Sequence, residues 1–365
     1  MHTKIELIIT KSFYITGKAI CTFLEQNESC MMCNASYHLL LKQGQLLRKE
    51  KIFTIFQKMV MKHRGIIEID FHGNIDVPQK TSQVKNKDYL EADGMQSGII
   101  PVFIEPFMRG EYDIYVQIPQ EYGIAGFQKI DETHYRKCVS HSFDTSFVIF
   151  HKSKIQIQQY HQVTIYAGLY HSFDEVKQMC QIASYIYQFY SQIFSPSLYQ
   201  QLYLVLNPRF ENGAYVRNDT VYLVDRVEGL DLETFYHLAH EISHLWWQNS
   251  NLKKEEGWIN ETFAQYSALL LVKEKYGEKV YQDIINGYKE KVKDLPSLSQ
   301  INEETPHDIV FLVHYDKGPY LFHLLQQKIG QERMLDVLKQ SYQKKIKTGQ
   351  DFMKIVPEFK EFYFL

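Results

Sequence analysis

The chain has 365 residues and a formal net charge of −3, with 45% hydrophobic and 23% charged residues. This balance is typical of a globular protein, and the length allows two domains of ordinary size. The absence of excess positive charge argues against nucleic acid as a partner. No apolar run approaches the roughly 18 residues of a transmembrane segment. Residues 7–9 are too short for the apolar part of a secretory signal, so we expect a cytoplasmic protein.

The first half of the chain is typical of short β-strands. Segments rich in β-branched and aromatic residues alternate with turn residues, and they lie at 36–41, 65–71, 98–103, 112–119, 146–150 and 163–167. Residues 42–62 mix basic and apolar side chains and fit either a helix or two strands. Cys30 and Cys33 form a C-x-x-C pair, but no second pair follows at zinc-finger spacing. We therefore interpret them as incidental reduced thiols.

After residue 170 the pattern favours helices. A long helix is expected from Ser172, a capping residue, to Ile193, and a buried strand follows at 202–206. Asp231 is a candidate N-cap for a helix that we expect to end near Gln248. A further apolar helix begins at Trp258. The sequence thus predicts an α+β fold, with a β-rich domain at 1–155 and a mainly helical domain with a small sheet at 156–365.

The most informative motif lies in the helix that follows Asp231. Residues 240–244 read His-Glu-Ile-Ser-His, the H-E-x-x-H pattern. Residues four apart share one face of a helix, so His240 and His244 can bind the same ion. Glu241 lies beside them and can act as a general base toward a water molecule. Short motifs also arise by chance, but this one is embedded in a regular amphipathic pattern.

The third ligand decides what kind of zinc site this is. A structural zinc site uses four protein ligands, whereas a catalytic site uses three and leaves one position for water. Glu261, in the first turn of the next predicted helix, is the candidate. An acid near a helix N-terminus is also common without any metal, because it interacts favourably with the helix dipole. Its pairing with an upstream H-E-x-x-H favours ligation of a single Zn²⁺.

At this point the chain resembles a known family. An H-E-x-x-H followed on the next helix by Asn-Glu resembles the gluzincin zinc metallopeptidases. The runs His-Leu-Trp-Trp at 244–247 and Trp-Ile-Asn-Glu-Thr-Phe-Ala at 258–264 resemble the branch of aminopeptidase N and leukotriene hydrolase. That branch also carries Y-x-K-G, which is matched here at 315–318.

The resemblance implies a structure and a set of roles. It implies an N-terminal β-domain followed by a thermolysin-like catalytic domain. We expect a short form without the family's large C-terminal helical domain, because Leu365 comes too early for it. It implies that His240, His244 and Glu261 hold one zinc ion. It further implies that Glu241 is the general base and that Tyr315 hydrogen-bonds the oxyanion of the tetrahedral intermediate.

Two departures from the family pattern affect these expectations. The connection at 245–260 is slightly shorter than in the family, which a loop between helices can absorb. Where the family has G-x-M-E-N, residues 213–218 read Gly-Ala-Tyr-Val-Arg-Asn, so the glutamate that recognises a substrate amine is absent. We predict substrate binding by Gly213, Ala214, Tyr215 and Arg217, with backbone pairing to an extended peptide near the first two. Arg217 either pairs with a carboxylate or points to solvent.

These observations predict a zinc metallopeptidase that acts on a peptide substrate and resembles aminopeptidases, with atypical recognition of the N-terminus. Cleavage at the N-terminus and internal cleavage both remain open, as does the oligomeric state. One alternative is a hydrolase of a non-peptide substrate such as a lipid epoxide. Another is a non-catalytic binding or scaffold protein that retains the peptidase fold.

Overall fold

The computed structural model describes residues 1–25, 28–52, 56–77, 84–105, 109–142, 144–208, 213–224, 231–248, 250 and 253–365. The chain divides into two compact units. The first comprises Met1–Gln159, Thr164–Val176 and Leu202–Arg226, and the second comprises Tyr160–Val163, Lys177–Gln201 and Val227–Leu365. The domain boundary between residues 155 and 156 stays a prediction.

Strands dominate the first unit. In chain order the described strands are β1 His2–Ile9, β2 Tyr14–Thr22, β3 Glu28–Asn34, β4 His38–Gln43, β5 Gln45–Ile52, β6 Phe56–Lys62, β7 Ile66–Asn74, β8 Tyr89–Asp93, β9 Val102–Glu105, β10 Gly110–Gln117, β11 Tyr122–Ile124, β12 Gln128–Lys129, β13 His134–Ser142, β14 Ser146–His151, β15 Ile155–Tyr160, β16 Val163–Gly168, β17 Leu202–Asn207, β18 Tyr215–Arg217 and β19 Thr220–Val224. In β1 and β10 buried and exposed residues alternate. Because successive strand residues point to opposite faces, one face of the sheet packs on the core.

The strands form four sheets. The largest has the order β12-β13-β10-β1-β2-β7-β4, in which β1 and β10 are parallel. Smaller sheets have the orders β5-β6-β3-β9 and β11-β14-β8. The fourth sheet, β15-β16-β17-β19-β18, contains a parallel pair, β17 and β19, and ends at the edge strand β18.

The structure resolves the open question at residues 42–62 in favour of strands, because β5 and β6 lie there and pair antiparallel. The C-x-x-C pair lies within β3. Three residues along a strand place Cys30 and Cys33 on opposite faces, so the two thiols do not form a chelating pair. Both are buried, reduced thiols, and burial raises the pKa of the Cys33 thiol to about 12.

Helices dominate the second unit. The described helices are α1 Phe173–Phe194, α2 Leu232–Ser243, α3 Trp258–Tyr276, α4 Glu278–Lys291, α5 His307–Leu312, α6 Gly318–Ile329, α7 Gln331–Gln343, α8 Gly349–Ile355 and α9 Lys360–Tyr363, with a π-helical turn at Val313–Lys317. Ser172 caps the start of α1, as predicted from the sequence, and Glu175 completes a reciprocal cap that was not predicted. Among the described helices, none is both long and apolar enough to cross a membrane. The α+β fold, with a β-rich region followed by a helical region, is confirmed.

Candidate metal centre

The helix α2 carries the H-E-x-x-H motif, and its start follows from its sequence. Asp231 caps it, because its Oδ1 accepts a hydrogen bond from the backbone N–H of Thr234 at 2.8 Å. Glu233 lies in the first turn, where the helix dipole favours negative charge. Phe235, Leu238 and other apolar residues of one face are buried, and this packing fixes the rotation of the helix about its axis.

The helix ends at Ser243, so the sequence-based expectation of an end near Gln248 was wrong. The backbone tightens after Ser243, because the N–H groups of His244, Leu245 and Trp246 bond to carbonyls three residues back. Two indole N–H groups then hold the chain. Trp246 donates to the Ser195 carbonyl at 2.9 Å, and Trp247 donates to Ser267 Oγ at 2.8 Å. Buried hydrogen bonds and indole packing thus stop the helix where periodicity alone would continue it.

Three predicted ligands converge in the second unit. The Nε2 atoms of His240 and His244 lie 3.2 Å apart. Glu261 Oε2, from the first turn of α3, lies 3.5 Å from His240 Nε2 and 3.4 Å from His244 Nε2. These residues form the one group of His, Cys, Asp or Glu side chains in the described ranges that is placed to hold a metal.

The triangle fits a zinc ion. Ligands at about 2.0–2.2 Å from a tetrahedral centre lie about 3.3–3.6 Å from one another, close to the three measured separations. Glu261 Oε2 is buried and has no hydrogen-bond partner among the described residues. His244 Nδ1 lies 2.9 Å from the Trp247 carbonyl. Donation by that nitrogen fixes the tautomer and leaves Nε2 available as a ligand, as is usual for metal-binding histidines.

The charges of the predicted ligands His244 and Glu261 are strongly linked. Burial lowers the pKa of His244, but the Glu261 carboxylate outweighs burial and raises it to about 9. Burial likewise raises the pKa of Glu261, but the His244 charge and the contacts of His240 and His244 with the carboxylate together outweigh it and hold that pKa well below the usual range. Glu261 is therefore ionised at neutral pH, whereas His244 must release a proton before it can bind a cation.

Tyr315 lies beside the predicted ligands His240 and Glu261, within the π-helical turn. Its ring stacks on His240 at a centroid distance of 5.4 Å and on Phe311 at 4.3 Å. Its hydroxyl interacts with the Glu261 carboxylate. Burial and the Glu261 charge raise the Tyr315 pKa far above its ordinary value. The hydroxyl therefore keeps its proton and can serve as a hydrogen-bond donor.

Glu241 follows His240 on α2 and is almost fully buried, with 6% of its surface exposed. Sequence reasoning did not consider its neighbour His237, whose Nε2 lies 3.9 Å from Glu241 Oε1. The four-residue spacing from His237 to Glu241 places both side chains on one face of the helix, so the sequence alone could have indicated this contact. Partial desolvation lowers the pKa of His237, and the Glu241 charge opposes this effect.

The predicted substrate residues belong to the first unit, whereas the three metal-ligand candidates belong to the second. Gly213 and Ala214 precede β18, and Tyr215 and Arg217 lie within it. β18 pairs antiparallel with β19 through Tyr215–Tyr222 and Arg217–Thr220. Tyr215 donates its hydroxyl hydrogen to Glu91 Oε1 at 2.7 Å.

Of the two sequence-based readings of Arg217, exposure to solvent is wrong, and pairing with a carboxylate describes its surroundings, although the carboxylates belong to its own unit and not to a substrate. Its side chain is 21% exposed and lies 3.6 Å from Asp93 Oδ2 and 3.5 Å from Asp144 Oδ2. Both aspartates are completely buried. Arg217 therefore neutralises buried acids of its own unit instead of pointing to solvent or offering a free charge. Sequence reasoning missed both aspartates, because nothing local in the chain links residues 93, 144 and 217.

By sequence, the chain matches no family model and none of the curated proteins compared with it. By structure, it is similar to native leukotriene A4 hydrolase from Saccharomyces cerevisiae, with a TM-score of 0.78, 14% identity, and coverage of 99% of this chain and 65% of the yeast chain. Yeast leukotriene A4 hydrolase in complex with bestatin gives a TM-score of 0.77 at 14% identity, with 99% and 64% covered. A mutant M1 zinc metallopeptidase from Deinococcus radiodurans gives 0.69 at 12% identity, with 99% and 90% covered.

The chain thus spans about 65% of the length of the yeast enzyme and most of the bacterial one. At these identities the similarity establishes the fold. This chain has the fold of leukotriene A4 hydrolase and of M1 zinc metallopeptidase.

Proposed function

We propose that this chain is a zinc-dependent metallopeptidase in which His240, His244 and Glu261 hold one zinc ion. The observation that supports this most is the triangle of ligand atoms, with sides of 3.2, 3.4 and 3.5 Å. Three protein ligands leave a coordination position open, as in catalytic zinc sites. The shared fold with zinc hydrolases supports the same reading.

Zinc, when bound, supplies Lewis-acid chemistry by polarising a carbonyl oxygen and acidifying water. Glu241 takes the proton of the attacking water and passes it to the leaving amine, which is general base and then general acid catalysis. Tyr315, which remains protonated, donates a hydrogen bond to the developing oxyanion of the substrate. The nearly complete burial of Glu241 excludes bulk water, which strengthens both electrostatic effects.

The proposed substrate is a peptide that adds to the edge strand β18 by backbone pairing. Recognition of its N-terminus is atypical, because the chain lacks the glutamate of the family motif. Arg217 does not provide a free cation for a substrate carboxylate, since Asp93 and Asp144 already oppose its charge.

Among acids that could replace the missing glutamate, Glu111 is exposed on β10, while the side chains of Glu105 and Glu211 lie outside the described residues. Glu91, beside Tyr215, is an additional acid near this strand.

The test combines metal analysis with a substrate panel. Purified protein should contain one zinc per chain and hydrolyse unblocked peptides, and Glu241→Gln should retain the zinc and lose turnover. Zinc binding with epoxide hydrolysis but no peptide hydrolysis would favour the non-peptide alternative. A protein with no zinc and no hydrolysis under metal-supplemented conditions would contradict the proposal and favour a binding or scaffold role.

A further inference from the structure

The segment that carries Tyr315 has an unusual backbone. Val313–Lys317 forms a π-helical turn between α5 and α6, and the N–H of Gly318 bonds to the Val313 carbonyl five residues back. π-helical turns are rare and widen the helix by one residue. The widening interrupts the regular α-helical hydrogen bonds around Tyr315. Contacts from outside the helix are therefore needed to stabilise the π-helical hydrogen-bond pattern.

Three hydrogen bonds with other segments hold this turn. The hydroxyl of Thr262 donates to the carbonyl of His314 at 2.8 Å, and Thr262 is completely buried. At the other end, the buried ammonium of Lys317 donates to the backbone carbonyls of Leu295 and Leu365, each at 2.8 Å. The turn is thus fixed on both sides of Tyr315.

Thr262 is placed unusually for a helical threonine. It follows Glu261 in α3, where its hydroxyl would ordinarily bond to a carbonyl three or four residues back in the same helix. Here the hydroxyl instead reaches the residue before Tyr315. Gly318 makes this approach possible, because a Cβ at that position would overlap Thr262 Oγ1 and lie 2.8 Å from Thr262 Cγ2.

We propose that Thr262 is a positioning residue that couples the helix of the metal-ligand candidate Glu261 to the turn of Tyr315. Its hydroxyl fixes the register of the π-helical turn and so sets where the Tyr315 hydroxyl lies relative to the Glu261 carboxylate. The catalytic consequence rests on the proposed function, in which Tyr315 stabilises an oxyanion. The structural coupling does not depend on it. Two other residues of the Y-x-K-G segment hold the same turn. Gly318 leaves room for Thr262, and Lys317 donates to two backbone carbonyls.

The first measurement is independent of activity. Hydrogen exchange of peptides that span residues 313–318 is followed in the metal-free protein for wild type, Thr262→Val and Thr262→Ser. Valine keeps the volume but removes the hydroxyl and leaves a buried carbonyl without its partner. Exchange should become faster in Thr262→Val and return to the wild-type rate in Thr262→Ser. Unchanged exchange in Thr262→Val would overturn the coupling.

The matched control is Ser341→Ala. Ser341 is equally buried, but its hydroxyl bonds to the Val337 carbonyl within its own helix, α7. Its removal should leave exchange at 313–318 unchanged, and faster exchange there would indicate general loosening and count against a specific role for Thr262. Should Thr262→Val fail to fold, Gly318→Ala displaces the same hydroxyl from the opposite side, and the same comparison applies.

The second measurement concerns turnover. Thr262→Val should lower kcat by about 10- to 100-fold, the range expected when a catalytic group is displaced by up to about 1 Å. Zinc content and KM should stay near wild type, and Thr262→Ser should restore most of the rate. In a Tyr315→Phe background, Thr262→Val should cause no further loss, because coupled residues act non-additively. Additive losses or loss of zinc would overturn the positioning role, whereas no turnover in the wild type would contradict only the proposed function.

Discussion

Tyr315→Phe tests the catalytic proposal most directly, because the structure isolates the hydroxyl. The ring stacks on His240 at 5.4 Å and on Phe311 at 4.3 Å, and phenylalanine preserves both contacts. The substitution therefore removes one hydrogen-bond donor and leaves the packing intact. Removing an oxyanion donor costs about 2.7–4 kcal/mol, or about 10²–10³ in kcat.

The assay is initial-rate kinetics with a peptide substrate, together with zinc content by elemental analysis. We expect kcat to fall by that factor while KM and zinc content stay near wild type, since an interaction made only in the transition state affects kcat. Tyr185→Phe is the control, because Tyr185 is 40% exposed on α1 and is not one of the residues assigned to the site. A kcat for Tyr315→Phe equal to that of the control would refute the assigned role.

Four further predictions concern the ligands, the base and the substrate. Glu261→Ala should lose zinc in elemental analysis, and full occupancy would remove Glu261 from the ligand set. Glu241→Gln should keep zinc but show no measurable turnover, because a base and not a ligand is lost; a rate near wild type would assign the proton transfer elsewhere. The pKa of His244 is raised from 6.5 to about 9, so its protonated form stabilises the metal-free fold fully below pH 6.5, and this stabilisation is lost as the pH rises through about 9. Apparent zinc affinity should therefore rise about tenfold per pH unit between pH 6.5 and about 9, because His244 must release one proton when zinc binds. Competition with a chelator measures this affinity, and an affinity that does not change with pH would contradict the release of that proton. The missing glutamate would have contributed about 1.5–3 kcal/mol, so its absence should weaken the kcat/KM discrimination between free and acetylated N-termini by roughly one to two orders of magnitude. A strong preference for the free amine would mean that another acid replaces it, and Glu91→Gln would then test one candidate.

The sequence predicted the metal-ligand candidates because the information is local. The spacing of His240 and His244 on one helix determines that they share a face, and Glu261 lies in the first turn of the following helix. Helix geometry converts such spacing directly into proximity. Tyr315, more than fifty residues further on, was assigned through the resemblance and not through spacing. The ligand roles themselves stay predictions until a metal is measured.

The contacts that refine the site lie between segments far apart in the sequence. Thr262 and the His314 carbonyl are 52 residues apart, and Arg217 lies 73 residues from Asp144. Hydrophobic periodicity in the sequence does not reveal such pairs, because they form only when separate helices and strands pack against one another. The early end of α2 was missed for the same reason, since hydrogen bonds from Trp246 and Trp247 to other elements override a helical pattern. In the first unit, β1 was missed although its buried and exposed residues alternate.

The two indole contacts after α2 have a consequence for metal exchange. They hold the backbone beside His244 through the Ser195 carbonyl and Ser267 Oγ, and neither contact uses a ligand atom. A scaffold secured in this way would not depend on the proposed zinc ion for its assembly, in contrast to small zinc domains that unfold when a chelator removes the metal. Removal of the ion should therefore be reversible, and the vacant position should accept other divalent first-row metals. Cobalt(II) would then provide a visible absorption spectrum that reports the coordination geometry directly.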